Sequence, residues 1–268
     1  MDKRKMPLLT RASSFFRRQR SPEALDSNHS GAPSASWPWL PMRCTLTYNE
    51  YGSYCVPEHA AHRPACQAIL VHRVWEPDTI RFMRDHCADG DVVHAGTFFG
   101  DFLPALSSAL SPAAMVLAFE PVAENHQCAK LTVDLNDLSN VSLTHAGLGA
   151  SPASVKMKTR DAYGRSLGGG STIVSADSTE GDQVVQIVRI DDSVRVDRRV
   201  SIIQLDVEGH ERAALEGALQ TINQWRPILI LEVLPGSTLG TSQWFEENIL
   251  RLGYKARGKV HENDVYAV

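Results

Sequence analysis

The sequence predicts an α/β fold built on a doubly wound, mostly parallel sheet. From about residue 74 onward, runs rich in Val, Ile and Leu alternate with stretches of helical periodicity, and this repeats several times. The run Ile228-Leu229-Ile230-Leu231 has no polar side, as expected of a strand covered by helices on both faces. At 268 residues, with 43% apolar and 22% charged, the chain suits one folded domain with an appended segment and excludes a disordered or fibrous chain.

The elements follow in order. Pro77 opens a helix whose Ile80, Met83 and Cys87 recur at helical spacing and which Gly90 ends. Residues 91–95 form a first strand, 101–110 a helix, 115–120 a second strand, 122–136 a second helix and 141–146 a third strand. Residues 151–182 break the pattern with Gly168-Gly169-Gly170 and many Ser, Asp and Thr residues, and read as an insertion leaving the sheet edge. Alternation resumes at 184–190. A fourth core strand is expected at 200–206, a helix at 209–221, a fifth strand at 227–233, a helix at 242–252 and two short closing strands, the last at 264–268.

Residues 1–40 stand apart. Seven basic residues and one acid occupy the first twenty positions, and the Ser- and Pro-rich stretch after them reads as a linker, so a flexible basic tail is expected. The domain would then span 41–268, with 41–73, which holds Tyr48, Tyr51, Tyr54, His59 and His62, as an amino-terminal extension or lid. No apolar run has signal-peptide length or the ~20 residues that cross a bilayer. The net charge of −4 gives no drive towards nucleic acid, and none is expected as a partner. Five cysteines without a Cys-x-x-Cys pattern argue against a zinc site and for reduced thiols in the cytoplasm.

Open parallel sheets bind ligands beyond the carboxyl ends of their strands, where strand order reverses. Three features fall at such ends. The first is His94-Ala95-Gly96-Thr97-Phe98-Phe99-Gly100-Asp101, a strand running into Gly-x-x-x-Gly and a helix. Gly96 allows a tight turn, Gly100 a close approach to a ligand, and the helix start offers free amides. The turn lacks the Gly-x-Gly-x-x-Gly of nicotinamide enzymes. The second is Glu120, where an acid either accepts hydrogen bonds from both hydroxyls of a ribose or is an exposed turn acid beside Pro121.

The third is Gln204-Leu205-Asp206-Val207-Glu208-Gly209-His210-Glu211. Asp206 and Glu208, two apart in extended backbone, would point to one side. Such a cluster binds a cation, takes a proton, orients a hydroxyl substrate, or simply caps the next helix.

Taken in order, the glycine turn, Phe119-Glu120-Pro121 with Glu124-Asn125, Arg189-Ile190-Asp191-Asp192, Leu205-Asp206-Val207-Glu208-Gly209-x-Glu211 and Arg226-Pro227 with the apolar run and Glu232 resemble the FkbM-type S-adenosylmethionine-dependent methyltransferases. The resemblance covers roughly residues 88–235, and the Asp-Val-Glu-Gly-x-Glu element is its most specific part. It implies a Rossmann-like seven-stranded methyltransferase sheet, doubly wound, ending in an antiparallel strand pair. It also implies O-methylation of a hydroxyl on a sugar or natural-product small molecule, with S-adenosyl-L-methionine as cofactor.

Under that resemblance Gly96, Gly100 and Asp101 line the methionine end of the cofactor, Glu120 grips the ribose, and Ala146 and Gly147 border the adenine. His94 stands where relatives carry an acid, and Phe98 where they carry a small polar residue, so Asp101 is expected to supply the lost carboxylate beside the cofactor's ammonium. For the base that deprotonates the acceptor, Glu208 ranks first, His210 second and Asp206 third. No metal is assigned, although Asp206, Glu208 and Glu232 would converge on one. The alternatives are a nicotinamide-dependent oxidoreductase and a non-catalytic binding module that keeps the fold. A homo-oligomer is compatible with either.

Overall fold

A computed structural model describes residues 43–268 of the chain, and the basic tail expected at 1–40 lies outside the described residues. Its main sheet has seven strands: β3 (Asp91–Ala95), β4 (Val116–Phe119), β5 (Val141–Thr144), β10 (Val200–Leu205), β11 (Ile228–Glu232), β12 (Lys255–Val260) and β13 (Asn263–Ala267). Their spatial order is β12-β13-β11-β10-β3-β4-β5. β5, β4, β3, β10 and β11 are mutually parallel, and β13 and β12 finish the sheet antiparallel. The seven-stranded doubly wound sheet and its antiparallel ending agree with expectation.

The period-2 alternation of strands decides the two layers. Val92, Val116, Ile202 and Ile230 face one side, against Ile80 and Met83 of α2 (Pro77–His86) and Leu103 and Leu106 of α3 (Leu103–Ser107). Val93, Ile203, Leu229 and Leu231 face the other, against Ala214 and Leu215 of α6 (Glu211–Glu216), Ile222 of α7 (Leu219–Trp225) and Phe245 of α8 (Gln243–Asn248). Each of these large side chains, fully buried, contributes about 1.5–3 kcal/mol relative to exposure.

Several helices are shorter than their periodicity suggests. Only Leu103–Ser107 of the 101–110 segment is α-helical. The helix expected over 209–221 divides into α6 and α7 at Gly217, where an added Cβ would stand 2.1 Å from the carbonyl oxygen of Gly149. That close backbone crossing bends the chain. Asp191 then caps α7, accepting from the backbone N–H of Thr221 (2.9 Å) and Gln220 (3.1 Å) while paired with Arg189. The Arg189-Ile190-Asp191-Asp192 motif is thus used in helix placement.

The 151–182 segment is not an irregular excursion. It contributes β7 (Ala153–Lys158) and β8 (Thr172–Val174) to a second sheet of order β6-β9-β7-β8, completed by β6 (Gly147–Leu148) and β9 (Gln183–Val188). Met157, Val185 and Ile187 bury one side of this sheet on Val122. At the amino end, β1 (Cys44–Asn49) and β2 (Gly52–Pro57) form a hairpin followed by α1 (Pro64–Leu70). Thr132 and Asn136 of α4 (Ala123–Leu135) and its cap hold β2: Thr132 Oγ1 accepts from Cys55 N–H (3.1 Å) and Asn136 Oδ1 from Ser53 N–H (2.8 Å). No disulfide joins any of the five cysteines. No described helix is long and apolar enough to cross a membrane.

Candidate active site at the carboxyl edge of the sheet

Strand order reverses between β3 and β10, and their carboxyl ends are joined by Asp206 N–H donating to Ala95 O at 3.1 Å. Two cavities open there. Both are bordered by Gly96, Gly169, Asp206 and Glu208.

The first lies on the β4 side, walled by Glu120, Ala146 and Gly147 and closed by Met157 and Ile173 of the second sheet. Glu120 is buried, not an exposed turn acid. Its Oε2 accepts from Phe98 N–H (2.8 Å), and its Oε1 accepts from Val122 N–H (2.8 Å) and Asn125 Nδ2 (3.3 Å). Burial outweighs these donors and raises its carboxyl to about 7. Asn125 Nδ2 also donates to Gly168 O (3.3 Å), so one amide ties the acid to the Gly168–Gly170 turn.

The second cavity lies on the β11 side. His94, Gln204, Asp101, Glu76 and Glu232 line it, with Arg63 from the cap of α1. His94 and Gln204 are cross-strand partners, and His94 Nδ1 lies 2.5 Å from Gln204 Oε1. Burial pushes His94 down to about 4, keeping the ring neutral, and raises the Asp101 carboxyl to about 7. Asp206 is held well above the usual carboxylate range by burial and by Glu232, with which it shares a hydrogen bond. Burial and Glu232 also raise Glu208, against the pull of Arg63. His210, lining the first cavity, is lowered by burial.

Two expectations about backbone are corrected. Glu208 and Asp206 do border the same cavities, but Glu208 has φ +52° and Gly209 φ +91°, so a left-handed turn and not extended strand brings them together. Glu211 holds that turn by accepting from Gly209 N–H (3.0 Å). Gly100 lines neither cavity; its φ of +83° and its packing on Ala129 and Thr132 of α4 account for the glycine. Phe98, at φ +51°, lines the second cavity with its ring against Gly168 and Gly169.

None of Tyr48, Tyr51, Tyr54, His59 and His62 lines either of these two cavities; the amino-terminal segment sends Arg63, Pro64 and Ala65 to the second instead. Arg63, Glu76, Met157 and Ile173 carried no sequence signal. His94 and Gln204 did, as polar residues inside otherwise apolar strands. Among the described residues, no group of three or more His, Cys, Asp or Glu is placed to hold a metal ion.

Residues 94–255 match the methyltransferase FkbM domain model, which begins at His94 and takes in both cavities' strand-end residues. The chain belongs to the FkbM methyltransferase domain family. No curated protein matches it. Among solved structures, this FkbM domain is similar to methyltransferase FkbM from Methylobacillus flagellatus, at 20% identity and a TM-score of 0.48, over 68% of this chain and 44% of that one. The match thus spans less than half of that protein's length. It is also similar to a SAM-dependent methyltransferase from Aquifex aeolicus (15% identity, TM-score 0.40, 76% and 92% of the two chains) and a methyltransferase from Geobacter sulfurreducens (13%, 0.41, 72% and 80%).

Proposed function

We propose that this FkbM domain uses S-adenosylmethionine to methylate a hydroxyl oxygen of a small-molecule or glycan acceptor. The observation that carries the reading is the buried Glu120 carboxylate at the end of β4, beside a cavity that continues into a second, carboxylate-lined one. Of the about four lone-pair sites of the Glu120 carboxylate three are taken, which leaves one on Oε2 to accept from a ribose hydroxyl. Ala146 and Gly147 present little side chain, and Met157 and Ile173 offer apolar walls to an adenine plane. His94, the bare backbone of Gly96, and Asp101 border the methionine end. The residues present therefore suit the cofactor, which when bound supplies a methyl group activated on a sulfonium.

The chain's own groups have two tasks. One is orientation, worth up to ~7–11 kcal/mol in well-aligned systems. The other is removal of the acceptor's proton, typically ~10²–10⁴-fold in rate. Glu208 suits the second task best. It borders both cavities, and its raised pKa makes its ionised form a better proton acceptor, with Arg63 favouring that ionised form. His210 faces the nucleoside side. Asp206, its proton shared with Glu232, is suited to orienting the hydroxyl. Gly100 acts only through the packing of the turn on α4. Five cysteines without a disulfide suit a reducing, cytoplasmic setting.

Calorimetric titration tests the cofactor: S-adenosylhomocysteine should bind and nicotinamide dinucleotides should not. Binding of dinucleotide alone would move the domain to the oxidoreductase alternative, and binding of neither to a module without this chemistry. Mass-spectrometric profiling of metabolites that gain one methyl group with purified protein would then identify the acceptor. Turnover unchanged in Glu208→Gln would remove Glu208 as base.

A further inference from the structure

Arg63 lies outside residues 94–255, the part of the chain that matches the methyltransferase domain model, yet it lines the second cavity. Of the residues lining that cavity it alone is a lysine or arginine, set against the carboxyl groups of Glu76, Asp101, Asp206, Glu208 and Glu232. Its local setting gives no reason for an arginine. Arg63 is the N-cap of α1, where Ser, Thr, Asp and Asn are favoured, a cation faces the positive end of the helix, and the side chain makes no capping hydrogen bond. A residue that breaks its local rule at the wall of a cavity marks a functional constraint.

The backbone fixes where the guanidinium goes. Arg63 N–H donates to Ala60 O (2.8 Å) and its carbonyl accepts from Gln67 N–H (3.0 Å), while Ala60, Ala65 and Cys66 are buried in the core that holds Cys128 of α4. From there the side chain runs along the Gly168–Gly170 turn. A Cβ on Gly168 would lie 3.0 Å from Arg63 Cγ, and one on Gly170 would lie 2.8 Å from Arg63 Nη2 and 3.4 Å from Glu208 Oε1. Guanidinium and carboxylate thus reach into the space that Gly170 leaves bare. Among the described residues they form no ion pair within 4 Å, so the charge acts on Glu208 without occupying the lone pairs that would receive a proton.

The other groups facing Glu208 oppose its ionisation or carry no charge. Asp206 at the end of β10, Glu211 of α6 and Glu232 of β11 are acids, and burial keeps His210, on the same turn, neutral. We propose that Arg63 is a positioning residue for methyl transfer: carried by the amino-terminal extension, it holds Glu208 as a carboxylate ready to take the acceptor's proton, across the space kept by Gly170. The inference rests on the reading of Glu208 as base. It makes the extension part of the catalytic centre.

Carbon-13 NMR of the full chain, labelled at glutamate carboxyls, follows the titration of Glu208, whose signal is the one lost in Glu208→Gln. Arg63→Met should move the midpoint up by about one pH unit or more, the effect of removing an opposite charge nearby. Arg63→Lys should restore most of it. Gly170→Ala displaces only the flexible end of Arg63 and leaves both charges in the protein, and should move the midpoint the same way by less. A midpoint unmoved in Arg63→Met, or moved equally in Arg63→Lys, overturns the proposal. Should Arg63→Met not fold, Gly170→Ala decides, and a midpoint unmoved there overturns it.

Methyl transfer from tritium-labelled S-adenosylmethionine into a small-molecule metabolite extract reads the catalytic consequence. The rate needs the carboxylate and so rises with pH, and the midpoint of that rise should climb in Arg63→Met together with the NMR midpoint and return in Arg63→Lys. A rate lowered alike at every pH would assign Arg63 a structural role only and overturn the proposal. Binding of S-adenosylhomocysteine to wild type separates the two ways of failing. Without it the methyltransferase reading fails, and the proposal with it. With it, a rate profile that stays while the NMR midpoint moves shows that Glu208 is not the base, and Arg63 loses its role while the methyltransferase reading stands.

Discussion

A Cβ placed on Gly96 would lie 2.0 Å from the carbonyl oxygen of Asp206. The first turn after β3 and the strand end carrying the proposed acceptor-side carboxylates are therefore in backbone contact. At φ +83° the position is also costly for any L side chain. Gly96→Ala should destabilise the protein by roughly 2–5 kcal/mol, from left-handed backbone plus overpacking. Urea denaturation measures this, and a loss below the range would mean that the two strand ends separate easily.

Glu120→Gln sets an amide N–H against the backbone N–H of either Phe98 or Val122, both of which the carboxylate now accepts. Leaving one buried donor unpaired costs about 1–3 kcal/mol. The midpoint of denaturation should fall accordingly, and affinity for S-adenosylhomocysteine should fall tenfold or more by calorimetry. A variant that binds as tightly as wild type would take the ribose role away from Glu120.

Asp101 links stability to pH. Its carboxyl rises to about 7 on burial, above its unfolded value, so the folded state holds a proton that the unfolded chain releases. Its contribution is fully present below about pH 4 and is lost as pH rises through about 7. The stability of wild type relative to Asp101→Asn should therefore decline between pH 4 and 7, by on the order of 4 kcal/mol. Denaturation of both proteins across that range measures the difference, and a flat one would show that Asp101 folds ionised.

Arg198 grips Asp91, the first residue of β3, through Nε (2.6 Å) and Nη2 (2.5 Å), and Nη2 also donates to Ala113 O (2.7 Å). Asp91 is 2% exposed, and its carboxylate also accepts from Met115 N–H. Arg198→Met should cost about 3–5 kcal/mol by leaving a buried charge unpaired. Because this pair lies at the opposite end of β3 from the cavities, nucleoside affinity should stay near wild type. A large loss of affinity in folded variant would show that the register of β3 depends on the pair.

The order of strands and helices from residue 74 onward was legible in the chain, because two-sided burial writes continuous apolar runs such as Ile228–Leu231 and helices write their own period. The strand ends where the two cavities open were equally legible, since Gly96, Glu120 and Asp206 fall there. Tertiary structure alone decided which glycine serves the cavity, because the separate contacts of Gly96 with Asp206 and of Gly100 with α4 join residues far apart in sequence. It also decided that the polar 151–182 segment pairs into a second sheet, where one-sided burial of Met157 leaves a faint pattern. The same holds for Arg63, brought to Glu208 by the folding of a hairpin and helix onto α4. Local sequence encodes period and turns, whereas the charge a carboxyl or imidazole carries depends on the neighbours that folding delivers, as the buried, neutral ring of His94 illustrates.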